Sequence, residues 1–213
     1  MRILTAAAVL ALTLPVTALA QAGRKTSTFT SPDGSFRFAY PSDFQVCKQG
    51  DMKPCNYTYI PLCEKDALIC VLYPAEAFKG TNMSATAFQV REIRRRRNIP
   101  PTTADDCVTP YPRIQDSYVS PWPEFLVSAE HPVEVIAGMS FLHGVTGGGA
   151  TGHGSSVDLY RAFHNGACVE VSISATATKP DLSEPPMKTL SAAEAKNISD
   201  TMSEVLHSFR FIK

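Results

Sequence analysis

Six cysteines place the strongest constraint on how this 213-residue chain can fold. All of them lie beyond residue 46, and an even number of cysteines in an exported chain predicts a framework of disulfide bonds. Six cysteines allow fifteen pairings. The sequence spacing favours one set, namely Cys47 with Cys55, Cys63 with Cys70, and Cys107 with Cys168. A zinc site is the alternative, but the chain has no C-x-x-C spacing, and thiolate ligands survive poorly in an oxidising compartment.

The N-terminal residues have the composition of a secretory signal peptide. Arg2 supplies the positive charge, residues 3–14 are apolar, and Ala18, Leu19 and Ala20 form an A-x-A cleavage box. The apolar run is too short to span a membrane, and no later run is long enough to do so. The sequence therefore predicts a signal peptide over residues 1–20, a single exported domain over residues 21–213, and a periplasmic or secreted location.

The overall charge of the chain argues against a nucleic-acid partner. The 20 Lys and Arg residues balance the 20 Asp and Glu residues, and a nucleic-acid-binding domain usually carries a clear basic excess. The mature length is that of one domain with a sizeable core.

The clearest local signal is a hairpin around Asn165 and Gly166. Residues 157–163 and 168–175 alternate on either side of this dipeptide, which favours a two-residue turn. Such a turn fixes the register and places Arg161 opposite Glu170, which we interpret as a cross-strand ion pair. The side chains predicted to face the core are Tyr160, Ala162, Val169, Val171 and Ile173.

Further strands and one helix complete the predicted fold. Turns are predicted at Pro32, Asp33 and Gly34 and at Ala137 and Gly138, and strands over residues 57–62, 68–73 and 85–93. Ser191 and Glu194 have the spacing of a capping box, and apolar residues follow at helical intervals: Ala195, Ile198, Met202, Val205 and Phe209. The fold class predicted is α+β, an antiparallel β-sheet with a C-terminal amphipathic helix packed on it.

The segment "HGVTGGGATGHG", residues 143–154, is rich in glycine. A phosphate-binding loop would need a following helix and a G-K-[ST] ending, and this segment has neither, since a strand follows it. Because glycine loses much conformational entropy when it is ordered, we expect residues 144–154 to form a mobile hairpin loop.

Histidines at the ends of this segment raise the possibility of a metal site. His143 and His153 flank it, and His131 and His164 lie near neighbouring strand ends. Their convergence would create a zinc or copper site, although no H-E-x-x-H or H-x-H spacing is present. A metal-dependent or hydrolytic enzyme built around His143 and His153 is therefore the alternative function, while no cofactor is predicted.

Basic residues are concentrated in "REIRRRRN", which contains Arg91, Arg94, Arg95, Arg96 and Arg97. They form either a solvated strand end or a dock for an anionic envelope polymer, a lipid head group or an acidic protein. The chain has no G-x-S-x-G nucleophile motif, and a catalytic cysteine would leave an odd number for pairing. These observations favour a binding protein over an enzyme.

A family resemblance is carried by the two ends of the chain. The stretches "TFTSPDGSFRFAYPSDFQV", "YRAFHNGACVEVSI" and "SEVLHSFRFIK" resemble exported bacterial proteins of unassigned function and, more distantly, the PsbP-like fold of a photosystem extrinsic protein and related envelope proteins. The resemblance implies an antiparallel sheet with packed helices, used as a binding or assembly module. The function expected is that of a non-catalytic binding or interaction module of the cell envelope.

Overall fold

The structure is a computed structural model that describes residues 24–51, 53–55, 62–93, 107, 126–127, 132–150, 152–180 and 186–212. Its elements in chain order are β1 Thr26–Thr30, β2 Phe36–Pro41, β3 Gln45–Lys48, β4 Ile69–Leu72, β5 Met83–Ile93, β6 Leu126–Val127, β7 Val133–Ile136, β8 Met139–Ala150, β9 His153–His164, β10 Ala167–Thr178, α1 Ala192–Ser208 and β11 Arg210–Phe211. Two 3-10 turns cover Lys53–Cys55 and Ala75–Phe78. No described helix is long and apolar enough to cross a membrane.

The described strands form two antiparallel sheets. The smaller sheet has the order β1-β2-β11, and the larger has the order β3-β4-β5-β10-β9-β8-β6, with β7 paired to β8 as well. The predicted α+β class, with antiparallel sheet and C-terminal helix, is confirmed. The predicted strand over residues 57–62 lies outside the described residues except for Leu62, and so does most of the proline-rich stretch between residues 98 and 132.

The two predicted two-residue turns are confirmed. Asn165 and Gly166 adopt positive φ values of 49° and 80°, and Ala137 and Gly138 adopt 49° and 83°. These conformations match the right-handed twist of the flanking strands. The register that follows from the first turn is the predicted one, with Arg161 opposite Glu170.

The main core lies between the two sheets and the helix. Aromatic rings dominate it, and Phe38 contacts Phe88 of the larger sheet with ring centroids 4.8 Å apart. Phe209, directly after α1, stacks on Phe36 at 5.4 Å. The helix begins with the predicted capping box, because Glu194 accepts from the Ser191 backbone while Ser191 accepts from the Glu194 backbone. It buries Ile198, Thr201, Met202, Val205 and Leu206, whereas Ala195 is exposed.

The opposite face of the larger sheet is covered differently, by disulfide-linked segments. A second buried cluster there combines small apolar side chains with cysteines: Cys47, Cys55, Leu62, Cys63, Ala67, Cys70, Leu72, Ala85 and Ala87. All three predicted disulfides are present, and the described residues contain no free cysteine. Side chains this small bury little apolar area, so we infer that covalent links hold the irregular covering segments on this face.

The glycine-rich segment is not a loop, and that prediction is wrong. Residues 139–150 and 153–164 pair as the long strands β8 and β9, which continue through Gly147, Gly148 and Gly149. Glycine is required at two of these positions because the neighbouring strand comes very close. A Cβ on Gly147 would lie 2.6 Å from the Ser155 carbonyl oxygen, and one on Gly149 would lie 2.6 Å from the His153 carbonyl oxygen.

The close approach of β9 to Gly147 is tested by a matched pair of substitutions. We expect Gly147→Ala to lower the free energy of unfolding by about 1–3 kcal/mol, since backbone must move to admit the methyl group. Gly148→Ala is the control, because a Cβ there meets no atom within 4 Å. It should leave stability unchanged or raise it by up to about 1 kcal/mol, because alanine restricts the unfolded chain. Urea unfolding of both variants measures the difference, and equal effects would contradict the strand geometry.

Candidate binding site

The arginine-rich run begins where β5 ends, at one corner of the larger sheet. Ile93 is the last described residue of β5 and lies opposite Cys168, the second residue of β10. Cys168 is disulfide-bonded to Cys107, with the two Cα atoms 5.4 Å apart. Ile93 and Cys107, the described residues on either side of residues 94–106, therefore both lie beside Cys168. Arg94, Arg95, Arg96 and Arg97 themselves lie outside the described residues.

Arg91 occupies a different environment from the one predicted. Its side chain is only 13% exposed, and its Nε donates to Glu170 Oε1 at 2.6 Å. Arg161 donates from Nε to the other carboxylate oxygen at 2.7 Å, and Glu170 itself is 1% exposed. The predicted Arg161–Glu170 pair is thus present, and it is extended by Arg91 into a nearly buried group of three charges.

Two further acidic side chains, Glu64 and Asp66, lie close to this group of three charges. Burial would lower the pKa of Arg91, but the adjacent Glu170 carboxylate, with Asp66 and Glu64, raises it above its ordinary value. Burial also raises the pKa of Glu64, an effect that Arg91 partly opposes. Asp66 lies 3.9 Å from Arg91, and Arg161 donates to the Cys107 carbonyl at 3.4 Å. Arg91 is consequently a structural cation at the base of the arginine run, and we correct its assignment as an exposed docking residue.

His143 and His153 lie too far apart to bind one metal ion. His143 lies opposite Tyr160 and His153 lies opposite Ala150, so seven residues of β8 separate them, about 23 Å in a strand. The hypothesis that His143 and His153 share one metal ion is therefore wrong. Within the described ranges, no group of three or more His, Cys, Asp or Glu side chains is arranged to hold a metal ion.

Each described histidine has local contacts of its own. His143 stacks on Tyr160 with ring centroids 4.6 Å apart, and its Nε2 lies 3.2 Å from Asp158. Burial, with Asp158 and Glu134 nearby, raises the pKa of Tyr160 well above its usual range. His153 contacts the Thr178 hydroxyl at 3.0 Å, and His164 stacks on Phe211 at 4.0 Å. His131 lies outside the described residues.

Comparisons with known proteins found distant matches among solved structures. No family model matches the sequence, and no match was found among curated proteins. A Bacteroides thetaiotaomicron structure is 14% identical with a TM-score of 0.41 over 87% of this chain, which spans about half (48%) of that protein's length. LpqN of Mycobacterium tuberculosis, described as involved in cell envelope biogenesis, is 11% identical with a TM-score of 0.44, covering 89% of this chain and 91% of LpqN. PsbP of Synechocystis is 11% identical with a TM-score of 0.40, covering 93% and 99%. A PsbP protein is thus among the structures that the chain resembles.

Proposed function

We propose that residues 21–213, exported after removal of a signal peptide over residues 1–20, form a non-catalytic binding module of the cell envelope. The ligand is an anion that docks on Arg94, Arg95, Arg96 and Arg97. The three disulfides fit an oxidising compartment such as the periplasm or the exterior.

One observation carries this proposal, namely how the arginine run is anchored. Both carboxylate oxygens of Glu170 are already bonded to guanidinium groups, one from Arg91 and one from Arg161. Both oxygens of the Glu170 carboxylate are therefore occupied by Arg91 and Arg161, which leaves the charges of Arg94–Arg97 to be balanced by other groups. Ile93 lies opposite Cys168 and Cys107 is bonded to it, so the chain is fixed on both sides of residues 94–106. Fixing both ends of a segment limits the conformational entropy that it loses when several of its guanidinium groups bind one anion.

Guanidinium groups suit this task because each presents a planar fork that matches carboxylate and phosphate oxygens. Several forks close together in a chain of zero net charge raise the local affinity for polyanions without any change of fold. Three sources of anion fit this chemistry: an anionic envelope polymer, a lipid head group and an acidic protein surface.

The test is substitution of Arg94, Arg95, Arg96 and Arg97 by Gln in the mature, oxidised protein. We expect binding to anionic envelope material to weaken at least tenfold, since each lost charge-assisted contact is worth roughly 1.5–3 kcal/mol. The thermal midpoint should change little, because these substitutions leave the Arg91–Glu170–Arg161 group intact. Isolated envelope polysaccharide, anionic lipid vesicles and envelope protein are titrated separately to identify the source.

A charge-matched control separates a site from general attraction. It replaces four exposed lysines elsewhere on the surface by Gln: Lys48, Lys53, Lys79 and Lys179. This control should keep the affinity of the unmodified protein. Equal weakening in both variants would contradict a defined dock, and unfolding of the arginine variant would show that those arginines are internal ion-pair partners.

A further inference from the structure

The smaller sheet has one face in the core and one face in solvent. Phe29, Phe36, Phe38 and Phe211 point inward, where Phe36 and Phe38 are each 1% exposed. Side chains alternate along a strand, so their neighbours point outward. Exposed polar side chains on this outer face are Thr26, Thr28 and Thr30 on β1, Arg37 on β2, and Arg210 on β11, while β2 also turns Ala39 and Pro41 to it.

Two like charges face each other on this outer surface. Arg37 and Arg210 are direct cross-strand partners, and Thr30 is the partner of Arg37 on its other side. Directly opposite residues on one face have Cβ atoms roughly 4.5–5.5 Å apart, and like charges at that distance are destabilising. Neither guanidinium forms an ion pair with any described residue, whereas Arg24, Arg91 and Arg161 each do.

We propose that this outer face is a second anion site, at which the Arg37 and Arg210 guanidiniums together bind the carboxylate of an acidic polysaccharide. A carboxylate between the two arginines relieves their repulsion and accepts hydrogen bonds from both. This site uses different residues from Arg94–Arg97. Its test therefore does not depend on whether the proposed dock binds an anion.

The row of threonines favours a sugar polymer as the occupant. Thr26, Thr28 and Thr30 repeat every second residue, which places their hydroxyl groups about 6.6 Å apart along an exposed strand. Each hydroxyl both donates and accepts, as sugar hydroxyl groups do. A bilayer fits less well, because Ile212 is the one large, exposed apolar side chain that the described part of this sheet offers, and membrane binding scales with buried apolar area.

The test is a calorimetric titration of the oxidised mature protein with oligomers of polygalacturonate. The test variant is Arg37→Gln with Arg210→Gln, and the matched control is Lys48→Gln with Lys53→Gln, which removes the same charge from β3 and from the 3-10 turn that follows it. We expect the arginine variant to bind at least roughly tenfold more weakly and the control to bind as the unmodified protein does. At low salt, the arginine variant should also have an equal or higher thermal midpoint, because a repulsive pair has been removed.

Three results would overturn the proposal. Unchanged affinity in the arginine variant would remove the site, and equal weakening in both variants would reduce it to general charge attraction. Anionic phospholipid vesicles or an acidic peptide that bind as tightly as the oligomers, and lose affinity in the same variant, would exclude an acidic polysaccharide as the specific occupant.

Discussion

Replacing Glu170 by Gln is expected to cost about 3–5 kcal/mol of unfolding free energy. The substitution keeps the shape of the side chain but removes the carboxylate to which both Arg91 and Arg161 donate. Two guanidinium groups, 13% and 11% exposed, would then lose the carboxylate that they share while remaining nearly buried. Removing one partner of a buried ion pair has a large effect, because the charge that remains is still removed from water but has lost the attraction that offset this cost. Urea unfolding at neutral pH measures it.

The control for this prediction removes the whole charged group. A variant with Arg91→Met, Glu170→Leu and Arg161→Met should recover most of the lost stability, because apolar side chains of similar volume need no partner. A loss below about 1 kcal/mol for Glu170→Gln would mean that water solvates the guanidinium groups, in line with an exposed salt bridge. That result would contradict the burial on which the anchoring of the arginine run depends.

Removing the Cys107–Cys168 disulfide is expected to destabilise the protein by about 4 kcal/mol. This bond spans 61 residues, and a link across a longer loop restricts the unfolded chain more strongly. Alanine is the replacement of choice because both cysteines are buried, at 3% and 1% exposure, and a serine hydroxyl would be left in an apolar position.

The Cys63–Cys70 disulfide is the matched control. Its sequence separation is 7, so the same chain-entropy argument gives only about 2.5 kcal/mol for its removal by two alanines. Both variants lose one buried disulfide. The difference between their losses of unfolding free energy therefore reports the effect of loop length. If loss of the Cys63–Cys70 bond lowered the unfolding free energy more than loss of the Cys107–Cys168 bond, the dependence on loop length would be contradicted.

Local signals in the sequence predicted the parts of the fold that depend on neighbouring residues. Asn165 and Gly166 determine a turn by their own conformational preferences, so the turn and its register were predictable, and Arg161 was placed opposite Glu170 correctly. The capping box at Ser191 and Glu194 is local in the same sense. The cysteine pairing followed from spacing because two of the three bonds close short loops.

The parts that failed depend on which strands become neighbours. Arg91 was predicted to be exposed because nothing in the sequence shows that β5 lies beside β10, which brings Arg91 to Glu170. The glycine-rich segment was predicted to be a loop because glycine loses much conformational entropy when it is ordered. At Gly147 and Gly149 the absence of a side chain allows an adjacent strand to approach where a Cβ would stand. Glycine composition alone does not distinguish these two uses.

The central claim, that the protein binds an anion through Arg94, Arg95, Arg96 and Arg97, is tested most directly by the salt dependence of its binding to isolated envelope material. If several guanidinium groups form the contact, the affinity should fall steeply between about 50 mM and 200 mM salt, as exposed charges become screened over about 10 Å. The variant with Gln at positions 94–97 should show a weaker and much flatter dependence. Binding by the unmodified protein that is insensitive to salt, or a variant with the same steep dependence, would contradict the claim.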